Sequence, residues 1–354
     1  MTEILFQRSP YSFSSAEKKA FLLGALERKI HWHHSRCEPY RHMIDQIFGG
    51  MKTFRNYDDI PYLPVQIFKK LSLKSIPDEE VFKTLLSSGT TSEETSRIIL
   101  DRKTAELQTK SLAHIMTSFL GPQRFPMLIV DSPSVIKDRT QFSARGAGIL
   151  GMLSFGRDAF YALNNDLSLN EEGLRSWLAK YPQGPFFIFG FTFMIWKYLI
   201  QSGLRHRFQN AVLIHGGGWK KLTEESVTND VFRQTLSQQL GIDRIHNFYG
   251  MVEQVGSIFV ECSAGYLHSP SFSEVIIRDF ETLAIAPHGQ RGLVQVLSVL
   301  PGSYPGHSLL TEDEGTIIGD DICSCGLKGR SFLIHGRIPK AVARGCSDTF
   351  GAVA

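Results

Sequence analysis

The sequence predicts an α/β fold: a mostly parallel sheet covered by helices on both faces, followed by a smaller strand-rich part. Three observations carry that expectation. From Asp101 to Gly250, short apolar runs such as PMLIV, PFFIFGF and AVLIHGGG alternate with helical patterns, as strands joined by helical crossovers do. After Gly265 the runs are shorter and closer together, EVIIRD, TLAIA and GLVQVLSVL, with tight turns such as APHGQRG between them, which suits antiparallel pairing. A chain of 354 residues, 42% of them hydrophobic, can also build a large core.

In order, Ser14 or Ser15 opens one or two helices over AEKKAFLLGALERKIHWHHSRCEPYRHMIDQIF, with Glu17 in the first turn and apolar residues at 21, 22, 25, 26 and 30. Its histidines, His31, His33, His34 and His42, match no strong metal spacing and suit a polar helical face. YDDIPYLPVQIFKKLSLKSIPDEE, rich in proline and aromatics, reads as extended and irregular. It leads to Leu85–Asp101, LLSSGTTSEETSRIILD. Here hydroxyls crowd around Gly89, between apolar Phe82–Leu86 and Ile98–Ile99. Such a loop can wrap an oxyanion with hydroxyls and freed backbone N–H groups; it can equally be a polar loop between two buried elements. No Walker-type motif is present.

A helix over 101–120 and the strand PMLIV follow. SARGAGILGMLSFGRDAFYAL is less regular, and its Ser154 lies outside a G-x-S-x-G nucleophile elbow. Next come the helix LSLNEEGLRSWLAKY, the strand PFFIFGF, the helix TFMIWKYLIQSGL, the strand AVLIHGGG, the helix ESVTNDVFRQTLSQQL and the strand RIHNFYG. Ligands in such folds collect at the carboxyl ends of strands, where Gly190, Gly216, Gly217, Gly218, Tyr249 and Gly250 fall. The expected organisation is a helical and extended lead-in over 1–80, an α/β region over 81–264, a strand-rich subdomain over 265–337 and a tail over 338–354.

A formal charge of +3 with scattered basic residues argues against nucleic acid. No run has the length of a transmembrane helix, and the N-terminus does not read as a signal peptide. Five cysteines suggest no stapled framework, and cytoplasm is the expected compartment. Cys323 and Cys325 form a C-x-C that fills half of a tetrahedral zinc shell, which Cys262 or His268 would have to complete; otherwise they are unpaired thiols in a reducing compartment.

The order SSGTTSEETSR, HGGG, FYGMVEQ, LLTEDEG, HGR resembles the adenylate-forming enzymes, which activate carboxylic acids with ATP. Within them, CSCG and GRIPKAVARGCSD resemble the LuxE-type acyl-protein synthetases, related to phenylacetate-CoA ligases. The resemblance implies the large α/β domain of that superfamily. It implies that Ser87, Ser88, Gly89, Thr90, Thr91 and Thr95 contact the ATP phosphates and that His215, Gly216, Gly217, Gly218 and Trp219 wall the adenine. Tyr249 and Gly250 would lie near the base, Glu253 would bind Mg²⁺, Asp313 the ribose hydroxyls, and Arg337 ribose or phosphate. Phe187, Phe189, Phe191, Phe193 and Trp196 are acyl-pocket candidates that also suit core packing. Cys346 is the implied acyl-accepting nucleophile, with Arg344 favouring its thiolate.

Departures accompany the match. Ser92, Glu93 and Glu94 stand where glycine and lysine commonly continue the loop. Val252 replaces a threonine whose hydroxyl touches the α-phosphate, leaving His246, Asn247 or a backbone N–H to substitute. Relatives continue after the residue matching Arg337 with a lid domain of roughly a hundred residues that carries the catalytic lysine; here a full lid is not expected, and Lys340 stands too near the hinge to be assumed equivalent. The expected activity is ATP- and Mg²⁺-dependent activation of a fatty or other apolar acid, then acyl transfer to a protein thiol, with an acyl reductase or carrier protein as partner. The alternatives are an acyl- or aryl-CoA ligase and a non-catalytic nucleotide-binding subunit.

Overall fold

A computed structural model describes residues 5–87, 95–136, 144–219, 226–254 and 256–338. Ser14 and Glu17 exchange hydrogen bonds in a capping box that starts α1 (Ser15–Arg36), whose buried stripe is Lys18, Leu22, Leu26, Ile30 and His33. α2 (Glu38–Phe48) has proline in its first turn and ends at Gly49 with φ 73°, a left-handed cap that glycine adopts without strain. The segment expected to be extended and irregular contains one-turn helices at Tyr57–Asp59 and Asp78–Glu80, β1 (Leu63–Pro64) and α3 (Ile67–Lys70).

β2 (Lys83–Leu86) and β3 (Arg97–Leu100) form an antiparallel hairpin, Lys83 opposite Leu100 and Leu86 opposite Arg97. The hydroxyl-rich loop therefore does not join two buried elements. Ile98 and Leu100 are buried, but Phe82 and Leu86 are 48% and 56% exposed. Asp101 then caps α4 (Arg102–Leu120) by accepting from the Thr104 amide at 2.7 Å.

The remaining elements are β4 (Phe125–Val130), α5 (Ala144–Leu153), β5 (Gly156–Tyr161), α6 (Glu171–Ala179), β6 (Phe187–Phe191) and α7 (Thr192–Ile195), which continues as a π-type turn over Trp196–Ile200. β7 (Val212–Gly216), α8 (Asn229–Leu240) and β8 (Arg244–Tyr249) follow. The strand-rich part has β9 (Phe259–Glu261), β10 (Leu267–His268), β11 (Ser273–Arg278), β12 (Arg291–Ser298), β13 (Ser308–Asp320) and β14 (Arg330–Arg337).

Two compact units result, one drawn from 1–112, 250–259 and 266–354, the other from 113–249 and 260–265. The second unit carries the parallel sheet, in the order β5-β4-β6-β7-β8. Leu128, Val130, Ile188, Leu213, Phe232 and Leu236 belong to its apolar core. The first unit carries the antiparallel strands in the order β11-β12-β13-β14-β10, and β1 adds to β13 in parallel. The expected change of texture after Gly265 is thus a change from parallel to antiparallel pairing.

In the first unit α1 contributes more than an apolar face. His33 leaves the polar side of the helix and stacks on His307, with ring centroids 5.1 Å apart. Its Nδ1 lies 2.7 Å from Ser75 Oγ, and Tyr40 Oη lies 3.1 Å from His307 Nε2. Burial holds His33 well below the usual histidine range and pushes His307 down to about 3, so both rings are neutral parts of the core. About four turns earlier on the same helix, Lys18 Nζ meets Glu274 Oε2 on β11 at 3.0 Å. Among the described residues no helix is long and apolar enough to cross a membrane.

Candidate functional site

In the first unit, Ser87 and Ser96 close the neck of the β2–β3 hairpin. Ser87 Oγ accepts from the Ser96 amide at 2.8 Å, and the Ser87 amide donates to the Ser96 carbonyl at 3.0 Å. Thr95 stands next to that neck, half-buried. Ser88, Gly89, Thr90 and Thr91 lie outside the described residues, as do Lys340, Arg344, Gly345 and Cys346.

Glu253 sits in the one-turn helix Val252–Gln254, just after Gly250, and is 8% exposed. Among the described residues its carboxylate has no hydrogen-bond or ion-pair partner. The turn around it is tightly held: Gln254 Nε2 donates to the carbonyls of Val296 (3.0 Å) and Gly306 (2.9 Å), and Ser257 Oγ lies 2.7 Å from Ser298 Oγ. A fixed turn presenting a carboxylate that has no partner among the described residues fits a cation ligand.

β13 and β14 bring two other predicted residues together, since Asp313 and Arg337 face each other in the strand register. The acidic neighbours that could have competed with Asp313 are engaged elsewhere. Glu312 accepts from Gln66, Glu314 pairs with Arg291 at 3.0 Å, Asp320 pairs with Arg330 at 2.8 Å, and Asp321 accepts from the Gly329 amide at 2.7 Å.

In the second unit, the carboxyl end of β7 carries the glycine run. Thr192 Oγ1 donates to the Gly217 carbonyl at 2.7 Å and lies 2.9 Å from His215 Nδ1; the hydroxyl proton is committed to the carbonyl, so Nδ1 is the protonated ring nitrogen. Burial pushes His215 down to about 3, and it is a neutral support of the turn. The glycines do not all offer bare backbone. A Cβ on Gly216 would lie 2.5 Å from the Phe248 ring and one on Gly217 3.2 Å from Phe191, whereas Gly218 meets nothing within 4 Å. Tyr249 closes β8, half-buried. His246, a candidate to replace the threonine missing at Val252, bonds the Glu261 carbonyl at 2.8 Å and packs on Phe119.

The aromatic run divides by depth. Phe187 and Phe189 are fully buried core residues, whereas Phe191, Phe193 and Trp196 are partly buried against the apolar cluster.

In the first unit His268, Cys323 and Cys325 hold their ligand atoms within 4.8 Å of one another. The C-x-C turn shapes the sulfur positions: the Leu327 amide donates to Cys325 Sγ at 3.4 Å, and His268 Nε2 lies 3.4 Å from the same sulfur. Two thiols and one imidazole fit three positions of a tetrahedral zinc site, and His268 is one of the two residues expected to join the C-x-C.

The family profile described as "Acyl-protein synthetase, LuxE" matches residues 1–353. The chain belongs to the LuxE acyl-protein synthetase family. Similar LuxE-family sequences include the long-chain-fatty-acid–luciferin-component ligase of Vibrio harveyi, 24% identical over 345 residues, spanning 89% of this chain and 84% of that protein. The Aliivibrio fischeri protein of the same name is 23% identical over 335 residues, with the same coverage of each chain. Among solved structures, 2-hydroxyisobutyryl-CoA ligase in the postadenylation state with 2-HIB-AMP matches with a TM-score of 0.72 at 16% identity, covering 93% of this chain and 70% of that one. The same ligase in an open conformation with 2-HIB-AMP and CoA gives 0.70, also at 16% identity, covering 93% and 76%. The fold is therefore that of the adenylate-forming enzymes, and the LuxE-family chain is an adenylate-forming ligase.

Sequence reading missed Ser303, Tyr304 and Thr192, whose hydroxyls hold the predicted site turns. The doubled Pro-Gly of PGSYPG over 301–306 was the available signal, since it marks a tightly constrained turn.

Proposed function

We propose that this LuxE-family protein activates an apolar carboxylic acid with ATP and passes the acyl group to a thiol. In the first step a carboxylate oxygen bonds to the α-phosphorus, the bond to the β-phosphate oxygen breaks, and pyrophosphate leaves. In the second a thiolate attacks the acyl carbon and AMP leaves with the electron pair. The observation that carries the reading is Glu253, whose carboxylate has no partner among the described residues and stands on a fixed turn. Asp313 would take the ribose diol, because a carboxylate accepts both protons, and Arg337 would neutralise ribose-proximal phosphate. The hydroxyls of the hairpin loop would donate to phosphoryl oxygens. Glu253 would hold Mg²⁺, which when bound offsets the charge that grows on those oxygens. Phe191, Phe193 and Trp196, rather than the core residues Phe187 and Phe189, are the better candidates to line the acyl group.

Two acceptors are supported by different observations. Free coenzyme A is favoured by the fold match to a ligase solved with CoA. A protein thiol, Cys346, is favoured by family membership and by its place in ARGCSD. An aldehyde-forming reductase or carrier protein would then collect the acyl group. The test incubates protein, ATP, Mg²⁺ and radiolabelled fatty acid with and without CoA. Acid-dependent exchange of pyrophosphate into ATP is expected in both cases. Hydroxylamine-labile label held on the parent chain and lost in Cys346→Ser supports the protein thiol; label found only in released acyl-CoA supports coenzyme A. Absence of exchange with short, long and aromatic acids would overturn the activation step itself.

His268, Cys323 and Cys325, with Cys262 as the fourth expected ligand, would hold a structural zinc. Elemental analysis is expected to find about one zinc per chain, in keeping with one four-ligand site, and Cys325→Ser is expected to lose it to a mild chelator that leaves the parent loaded. A metal-free parent would remove the zinc proposal.

A further inference from the structure

The segment from Pro301 to Gly306 is gripped from several sides of the first unit. Trp32 Nε1 of α1 donates to the Gly302 carbonyl at 2.9 Å, and the Ser75 amide donates to the Ser303 carbonyl at 2.7 Å. Its two central side chains, Ser303 and Tyr304, are adjacent and fully buried. Ser303 Oγ donates to the carbonyl of Ile99 on β3 at 2.9 Å. Tyr304 Oη donates to the carbonyl of Glu253 at 2.9 Å. Burial and the nearby Glu253 carboxylate raise the Tyr304 phenol well above its ordinary range, so it is always a donor.

Two neighbouring hydroxyls thus tie one short, rigid piece of chain to two different elements of the candidate site. One is β3, the strand that follows the hydroxyl-rich loop; the other is the turn that carries Glu253, whose carboxylate has no partner among the described residues. Adjacent Cα atoms are fixed at about 3.8 Å, so these bonds transmit covalent geometry rather than the compliance of apolar packing. Gly306 closes the arrangement: a Cβ there would lie 2.2 Å from the Tyr304 ring and 2.8 Å from the Glu253 carbonyl oxygen. The same Gly306 carbonyl also accepts from Gln254.

We infer that Ser303 and Tyr304 are positioning residues that set the spacing between the phosphate hairpin and Glu253, and so govern how strongly Mg²⁺ supports nucleotide binding. The inference rests on the reading of Glu253 as the Mg²⁺ ligand. Neither hydroxyl touches substrate in this account; each fixes a backbone carbonyl, and the coupling lies in their adjacency.

The test measures ATP binding by calorimetry in the absence of any acid, with and without Mg²⁺, in the full chain and in Tyr304→Phe, Ser303→Ala, the double variant and Ser303→Thr. Loss of one neutral hydrogen bond to a buried carbonyl is expected to raise the half-saturating Mg²⁺ concentration by about three- to tenfold, with metal-free ATP binding changed by less than about twofold. Because both bonds serve one spacing, the double variant is expected to resemble the worse single one rather than their product. Ser303→Thr, which keeps the hydroxyl, is expected to restore the parental value. If Tyr304→Phe does not fold, the two serine variants carry the test. A parent whose ATP binding depends on Mg²⁺, with variants that keep the parental Mg²⁺ dependence or weaken ATP equally with and without the metal, overturns the inference alone. A parent that binds ATP with no Mg²⁺ dependence overturns the Glu253 reading and this inference with it.

Discussion

Glu253→Gln is expected to lower acid-dependent pyrophosphate exchange by about 100-fold or more, the scale of losing a preorganised electrostatic group at a site of developing charge, while leaving the fold about as stable as the parent. The two halves of that expectation come from one geometry. Glutamine keeps the shape of the side chain and one acceptor oxygen, so the turn held by Gln254 and Tyr304 is undisturbed. What it removes is a negative charge that is 8% exposed and has no partner among the described residues. No hydrogen bond or ion pair of the described residues is lost with that charge, so its removal costs the fold little. A structural carboxylate behaves the other way. Glu261, for example, accepts from Arg233 at 2.6 Å and Asn229 at 2.9 Å, and neutralising it would strip bonds from both. Exchange kinetics and thermal unfolding of the same preparation decide the matter. Near-parental exchange with a clear loss of stability would make Glu253 a packing residue and withdraw it from the site.

The parts of this molecule that could be read from the sequence are those where one residue's neighbours along the chain decide its role. The start of α1 at Ser14 and Glu17 and the alternation of β4 to β8 with helices are of this kind. So is the C-x-C, whose turn geometry follows from the glycine after it. The hidden parts depend on residues brought together from far apart. His33 looks like one of several polar helical histidines until His307 is found stacked on it, 274 positions along the chain by their numbers. Gly216 looks like open backbone until Phe248 fills the space beside it. Glu253 could be read as an acid at a helix start, and only its lack of a partner among the described residues sets it apart from Glu314 or Asp320. The partners of Ser303 and Tyr304 lie 204 and 51 residues away, and no local pattern announces them.

The largest loss of stability is expected at Lys18. The side chains of Lys18 and Glu274 are 1% and 2% exposed, and their charged atoms meet at 3.0 Å. Lys18 Nζ also lies 2.7 Å from Ser269 Oγ and 3.2 Å from the Ser269 carbonyl, while Glu274 Oε1 accepts from Ser269 Oγ and from the Val275 amide. Burial lowers the Lys18 pKa and the Glu274 carboxylate opposes that shift, so the ammonium depends on its partner. Helical spacing puts Lys18 on the same stripe as Leu22, Leu26 and Ile30, which is why α1 cannot turn it out to solvent without exposing the stripe. Lys18→Met keeps most of the apolar volume but leaves the Glu274 charge buried and uncompensated, which is expected to cost about 3–5 kcal/mol. Replacing both charges, Lys18→Met with Glu274→Leu, is expected to recover most of that loss, because a well-packed apolar pair can match a buried ion pair. Denaturant unfolding of the two single variants and the double variant measures the coupling. Single variants within about 0.5 kcal/mol of the parent, the usual range for an inconsequential surface change, would show that the pair does not hold α1 against β11; a double variant no more stable than Lys18→Met would show that the hydrogen bonds to Ser269, rather than the charge balance, are what the fold requires.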